Sequence, residues 1–151
     1  MVKASYLESL DLHKVVNEWL KHFEAALSTN RFDDAANLFV DQGQWRDLLA
    51  FTWHVQTMSG RQEILHTLQQ TTPKAKPTGL SLAEERTPPR VIDRADTICI
   101  EAFIELDTIW GPASGILRLV ADEGGPNSVK AWVLMTSCLL YTSPSPRDSS
   151  Q

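Results

Sequence analysis

Asp47 is the residue of this sequence best placed for acid–base chemistry. It sits in the stretch Gly43-Gln44-Trp45-Arg46-Asp47-Leu48-Leu49-Ala50-Phe51-Thr52-Trp53-His54, which runs on through Thr57 to Gly60 and concentrates aromatic rings and ionisable groups. Read as a strand from Gln44, alternation puts Trp45, Asp47, Leu49 and Phe51 on one face and Gln44, Arg46, Leu48 and Ala50 on the other. If the first face lines a cavity, Asp47 is a desolvated acid, the usual way to make a carboxylate work as a general base near neutral pH. If it meets water, Arg46 and Asp47 are two adjacent solvated charges. The base would need Arg46 or His54 to orient it or to stabilise an enolate. Adjacent strand residues point apart, and His54 lies seven residues on, an odd offset, so neither shares the Asp47 face without a bulge or turn.

Other chemistries have less to stand on. No Gly-x-Ser-x-Gly is present, and Cys99 lies beside acids that disfavour a thiolate. His13 and His22 are nine residues apart, on opposite sides of a helix, so they do not pair on a metal. Two cysteines, Cys99 and Cys138, suggest neither a disulfide framework nor a zinc site.

The length of 151 residues suits one domain with one core, and 42% hydrophobic with 22% charged residues is an ordinary globular composition. A net charge of -5 without a basic stripe argues against nucleic acid as a partner. The N-terminus lacks the apolar core of a signal peptide, and no run approaches the ~18 apolar residues of a membrane span, so a cytoplasmic protein without membrane partners is expected.

The elements that position Asp47 follow from periodicity. Leu12, Val16, Trp19, Leu20, Phe23 and Leu27 recur at three and four residues, a helix with one buried stripe and Asp11 as N-cap. Phe32, Ala35, Ala36 and Phe39 make a short second helix, and Asp41-Gln42-Gly43 signals a turn into the central strand. Ser59-Gly60-Arg61-Gln62 reads as a capping box opening a third helix on Ile64, Leu65 and Leu68, ended by Thr71-Thr72-Pro73. Pro73 to Pro89 reads as loop, with a short edge strand at Leu80 and Leu82. Three antiparallel strands follow, near residues 98–107, 114–120 and 129–135, with Arg118 able to pair with Glu101 or Glu105. Residues 1–10 read as a flexible N-terminus and 11–137 as the folded domain. Residues 138–151, rich in serine and proline, read as a disordered tail that resembles translated sequencing-adaptor read-through.

Three helices, a strand between the second and third, and a curled antiparallel sheet closing over them resemble the α+β cone of the nuclear transport factor 2 superfamily, also called SnoaL-like. More narrowly, Leu38-Phe39-Val40-Asp41-Gln42-Gly43 through Trp45-Arg46-Asp47-Leu48-Leu49-Ala50-Phe51-Thr52-Trp53, with Thr57 and Gly60-Arg61, resembles the N-terminal cone domain of fungal and bacterial flavin-containing monooxygenases. That resemblance implies a parent enzyme that binds FAD and NADPH and oxygenates a small organic substrate. The sequence itself contains no G-x-G-x-x-G, so neither cofactor is expected on this chain by the usual route. Trp45, Arg46, Phe51 and Trp53 would then serve packing, a pocket, or docking against the flavin domain of the same polypeptide. Two alternatives stand beside this one. One is a free-standing SnoaL-like cyclase, dehydratase or isomerase with Asp47 as base and His54 as partner. The other is a homodimerising or ligand-binding module, with Trp110 and Trp132 as anchors.

Overall fold

The computed structural model describes residues 7, 10–52, 54–94, 96–122 and 128–138. The first helix, α1 (Leu12–Ser28), is capped by Asp11, whose carboxylate accepts from the Lys14 amide at 3.3 Å. Its apolar stripe buries Val16, Trp19, Leu20, Phe23 and Leu27. Trp19 stacks on Phe23 and donates its indole N–H to the Leu38 carbonyl at 3.0 Å, so the helix is tied to the chain that enters the sheet. A single turn and a half, α2 (Phe32–Ala36), buries Ala35 and Ala36.

The segment Asp41-Gln42-Gly43, expected as a turn, lies inside a strand, β1 (Phe39–Leu48). The turn residues mark a bulge instead: pairing with the neighbouring strand shifts between Phe39 and Gln44. A Cβ on Gly43 would lie 3.1 Å from the Val40 carbonyl oxygen and 3.2 Å from that of Ala131, so the bulge is closed tightly around glycine. A second strand that periodicity does not separate, β2 (Val55–Ser59), turns back antiparallel on β1.

Helix α3 (Arg61–Ala75) starts from Gly60 at φ 91°, without a side-chain cap from Ser59. The reach-back half of the capping box is made by Glu63, not Gln62: its carboxylate accepts from the Ser59 amide at 2.9 Å. Pro73 does not end the helix but sits in its last turn, and Lys76 in the left-handed region closes it.

Strand β3 (Thr78–Leu82) is the expected edge strand. The next one, β4 (Arg90–Arg94), lies just past the Pro73–Pro89 loop in a segment to which the sequence assigns no element, because its charged ends hide the short Val91-Ile92 apolar core from a periodicity count. Three long strands follow, β5 (Thr97–Thr108), β6 (Gly111–Ala121) and β7 (Val129–Cys138). Strand β7 runs past the expected end at Met135, and Cys138 pairs with Ala113. The rest of the expected tail, 139–151, lies outside the described residues, as do most of residues 1–10.

The sheet order is β2-β1-β7-β6-β5-β3, with β4 also on β5, giving a curved and unclosed seven-stranded sheet. All pairings are antiparallel except β1 with β7. The three helices cover one face, where Ile100, Ala102, Ile104, Leu106, Leu117, Leu119 and Leu134 meet Trp19, Phe23 and Phe39. The α+β class with three helices on a curved sheet is therefore as the sequence indicated. No described helix is long and apolar enough to cross a membrane.

Where β6 crosses β7 the backbones approach so closely that a Cβ on Gly115 would overlap the Met135 carbonyl oxygen. Gly115→Ala must push the two central strands apart, and a loss of about 3 kcal/mol is expected in urea or thermal unfolding; an unchanged midpoint would contradict this packing.

Candidate functional site

Asp47 is fully buried, and its carboxylate is crowded with donors. The Phe51 amide reaches both oxygens at 3.1 and 3.0 Å, and the Thr52 amide reaches one at 2.8 Å. The Thr52 hydroxyl lies 3.0 Å from the same oxygen and also 2.8 Å from the His54 carbonyl, so its single proton serves one of the two. From across the sheet, the Thr136 hydroxyl on β7 donates at 2.5 Å and itself accepts the Trp45 indole N–H at 3.0 Å. A chain Trp45→Thr136→Asp47 thus joins β1 to β7, and the same carboxylate clamps the bend that follows β1. That bend holds Leu49 at φ 69°, a conformation that costs a non-glycine residue energy and persists when its surroundings enforce it.

The other sequence candidates surround this lock without facing a common cavity. Phe51 meets the Trp45 ring edge-to-face at 4.9 Å, as their shared face implied, although a bend and not a strand brings it there. Arg46 is exposed and donates to the Thr57 hydroxyl at 3.1 Å, on the opposite side of β1 from Asp47. His54 is exposed, and its amide donates to the Thr52 hydroxyl at 3.1 Å. Trp53 lies outside the described residues. Further along, Arg61 donates to the Phe39 carbonyl at 2.6 Å and pairs with Asp41 at 2.7 Å, which pins the start of α3 to the bulged part of β1. The Gly60 amide donates to the Gly43 carbonyl at 2.8 Å. The lock residues of the run that carries the sequence resemblance therefore find their partners at one corner of the sheet. Of the two expected aromatic anchors, Trp110 packs partly buried against the core and Trp132 is half-buried on β7.

A second carboxylate makes the pair with Arg118 that the sequence suggested, but its burial and its two further arginines were not foreseen. Glu101 on β5 is 3% exposed, on the sheet face away from the helices. Arg90 lies 3.2 Å from one of its oxygens, while Arg118 at 3.1 Å and Arg94 at 3.7 Å approach the other. Burial alone would raise its pKa, but the hydrogen bonds from Arg90 and Arg118 and the charges of Arg118 and Arg94 outweigh it, leaving the carboxyl below its ordinary range. The alternative partner, Glu105, is exposed. Cys99, two residues before Glu101, is buried, and desolvation pushes its thiol up despite the nearby Arg118, which removes it as a nucleophile. The signal available in the sequence was Arg90-x-x-x-Arg94 at strand spacing, hidden because no strand was assigned to that segment.

Among the described residues, two of the surface grooves are well formed. The larger, about 830 Å³, is bordered by His13 and Asn17 of α1, Arg86 and its loop, Phe103 and Glu105 of β5 and Ser114 of β6. Arg86 sits over the Phe103 ring, its guanidinium carbon 4.5 Å from the centroid. The smaller, about 450 Å³, lies between α1 and the start of β7, with Lys14, Glu18, Trp19, His22, Leu38 and Val129 along it. Asp47 lines neither. Among the described residues no group of three His, Cys, Asp or Glu could hold a metal ion.

No protein-family model and no curated protein matches the sequence. Solved structures do match in fold. An NTF2-like protein with a cystatin-like fold from Novosphingobium aromaticivorans aligns over 90% of this chain and 87% of its own at 13% identity, TM-score 0.56. Aln2 from a Streptomyces species aligns over 89% and 95% at 14% identity, TM-score 0.60. ActVI-ORFA from Streptomyces coelicolor aligns over 83% and 96% at 16% identity, TM-score 0.56. The chain has the NTF2-like, cystatin-like cone fold.

Thr136→Val keeps the shape but strands both the Trp45 N–H and an Asp47 oxygen, so a loss of about 2 kcal/mol is expected, together with a change in tryptophan emission; a neutral variant would show that the chain of hydrogen bonds is not needed. For Glu101 the folded-state pKa is lowered, so its stabilisation is complete above the unfolded value and is lost as pH falls through the folded one. The stability gap between the wild type and Glu101→Gln should therefore be widest near neutrality and narrow in acid below the ordinary carboxylate range. A gap that stays constant to low pH would exclude the paired carboxylate as its source.

Proposed function

We propose that the chain is the accessory cone domain of an FAD- and NADPH-dependent flavin-containing monooxygenase, with the oxygenating chemistry in a flavin-binding part of the same polypeptide. The observation that carries this reading is the saturated state of Asp47. The run that bears the resemblance is an internal lock in which Trp45, Asp47, Phe51, Thr52, Gly60 and Arg61 have structural partners, as befits a scaffold. The usual dinucleotide cradle is missing from this chain, which has no G-x-G-x-x-G.

A second reading, a free-standing SnoaL-like enzyme acting on a hydrophobic ligand, is favoured by the larger groove. There His13, Arg86 and Glu105 border a partly apolar space beside Phe103, the raw material of acid–base catalysis. In that case the chemistry moves from Asp47 to the groove.

Sequencing the genomic locus across the codons that follow Met135 separates the two. The expected result is an open frame leading to a G-x-G-x-x-G, with the present chain, expressed alone, retaining no FAD after gel filtration. A stop codon shortly past Ser137 overturns the monooxygenase reading and leaves the enzyme reading. Stoichiometric FAD on the isolated chain overturns the assignment of cofactor binding to another part.

A further inference from the structure

Around Glu101 the outer face of the sheet holds more positive charge than that one carboxylate balances. Strand register sets Glu101 opposite Arg118 on one side and Arg90 on the other, with Arg94 paired to Thr97 at the far end of β4. Three guanidiniums thus converge on one carboxylate, within a chain whose net charge is -5. The carboxylate is closed over at 3% exposure, whereas Arg90 and Arg94 are about half exposed, 51% and 50% at their side chains. Arg118 offers its Nε to Glu101 and Arg94 approaches the same oxygen without reaching hydrogen-bond distance, so the terminal nitrogens of both have no acceptor among the described residues. Asp93 is the neighbouring acid on β4, but alternation turns it to the opposite face from Arg90 and Arg94.

Alternation along β5 puts Phe103 and Glu105 in line with Glu101 on this face. Phe103, its ring covered by Arg86, borders the larger groove. The arginine cluster and the groove are therefore continuous along the strand. One end offers guanidinium forks with two positive charges in excess of Glu101, and the other offers the Phe103 ring in a groove also bordered by Glu84, Glu85 and Glu105.

We propose that this face is a binding site for a phosphate monoester with an aromatic body, its dianionic phosphate on Arg90, Arg94 and Arg118 and its ring in the groove beside Phe103. A dianion matches the excess charge at the three arginines around Glu101, and guanidinium forks bind phosphate oxygens in pairs. The inference rests on neither functional reading, because it concerns binding and not turnover.

The test is calorimetric titration of the whole chain with phenyl phosphate, inorganic phosphate and benzoate at low ionic strength. Phenyl phosphate should bind several-fold more tightly than either of the others, and Arg94→Gln should weaken it about tenfold. Arg94 makes no hydrogen bond to Glu101, so this variant keeps the fold, and circular dichroism checks that it does. Arg46→Gln, at a different corner of the sheet, should leave the affinity unchanged. Absence of phenyl phosphate binding, equal affinity for benzoate, or indifference to Arg94→Gln would each overturn the site. Equal affinity for inorganic phosphate would overturn the part assigned to the groove.

Discussion

The fold depends on how one buried carboxylate is satisfied. Asp47 draws its hydrogen bonds from the amides of Phe51 and Thr52 and from the hydroxyl of Thr136, not from a cation. Those donors come from two places that the chain must bring together: the bend after β1 and the C-terminal part of β7, 89 residues away from Asp47. The pairing of β1 with β7 is the parallel one in the sheet, which no hairpin can supply, so its register needs a side-chain determinant. The Trp45→Thr136→Asp47 chain is that determinant. A one-residue slip would turn Asp47 outwards and carry Trp45 out of the core.

Buried carboxylates on the two faces of the same sheet are handled in opposite ways. On the covered face, Asp47 is held by dipoles that belong to its own bend, and the arrangement is closed to anything else. On the open face, Glu101 is held by charges from β4 and β6, and the cations outnumber it. The first arrangement specifies a fold and exhausts its donors. The second leaves donors over, and surplus donors on a solvent-facing strand are where recognition becomes possible.

Helices and long strands were legible in the sequence because their apolar residues recur at a clear period: the α1 stripe from Leu12 to Leu27, and the alternation from Ile98 to Leu106, survive intact in the structure. Short elements were not. Strand β4 has two apolar residues between charges, and β2 buries Met58 alone, so neither offers a period to count. Gly43 was misread for a physical reason: glycine serves a bulge and a turn equally, and only the close carbonyls of Val40 and Ala131 decide between them. The site was legible to the extent that Trp45, Asp47 and Phe51 share a location. Their role was not, because alternation shows that a carboxylate is buried and says nothing of how many donors await it.

That distinction bears on how chemically rich motifs are read. A buried acid between aromatic rings resembles a general base until its hydrogen bonds are counted, since both need desolvation and neighbouring polar groups. A working base must keep a lone pair directed at a space that substrate can enter. Asp47 lines neither of the two grooves described, and the bend from Leu49 to Thr52 folds back onto it. The density of tryptophan, arginine and aspartate in this run follows instead from the work of joining a hairpin, a helix start and a distant strand at one corner, where each polar group must find its partner inside the protein. A corner built in this way is rigid. It leaves the outer sheet face and the groove beside Phe103 as the surfaces on which this cone can meet other molecules.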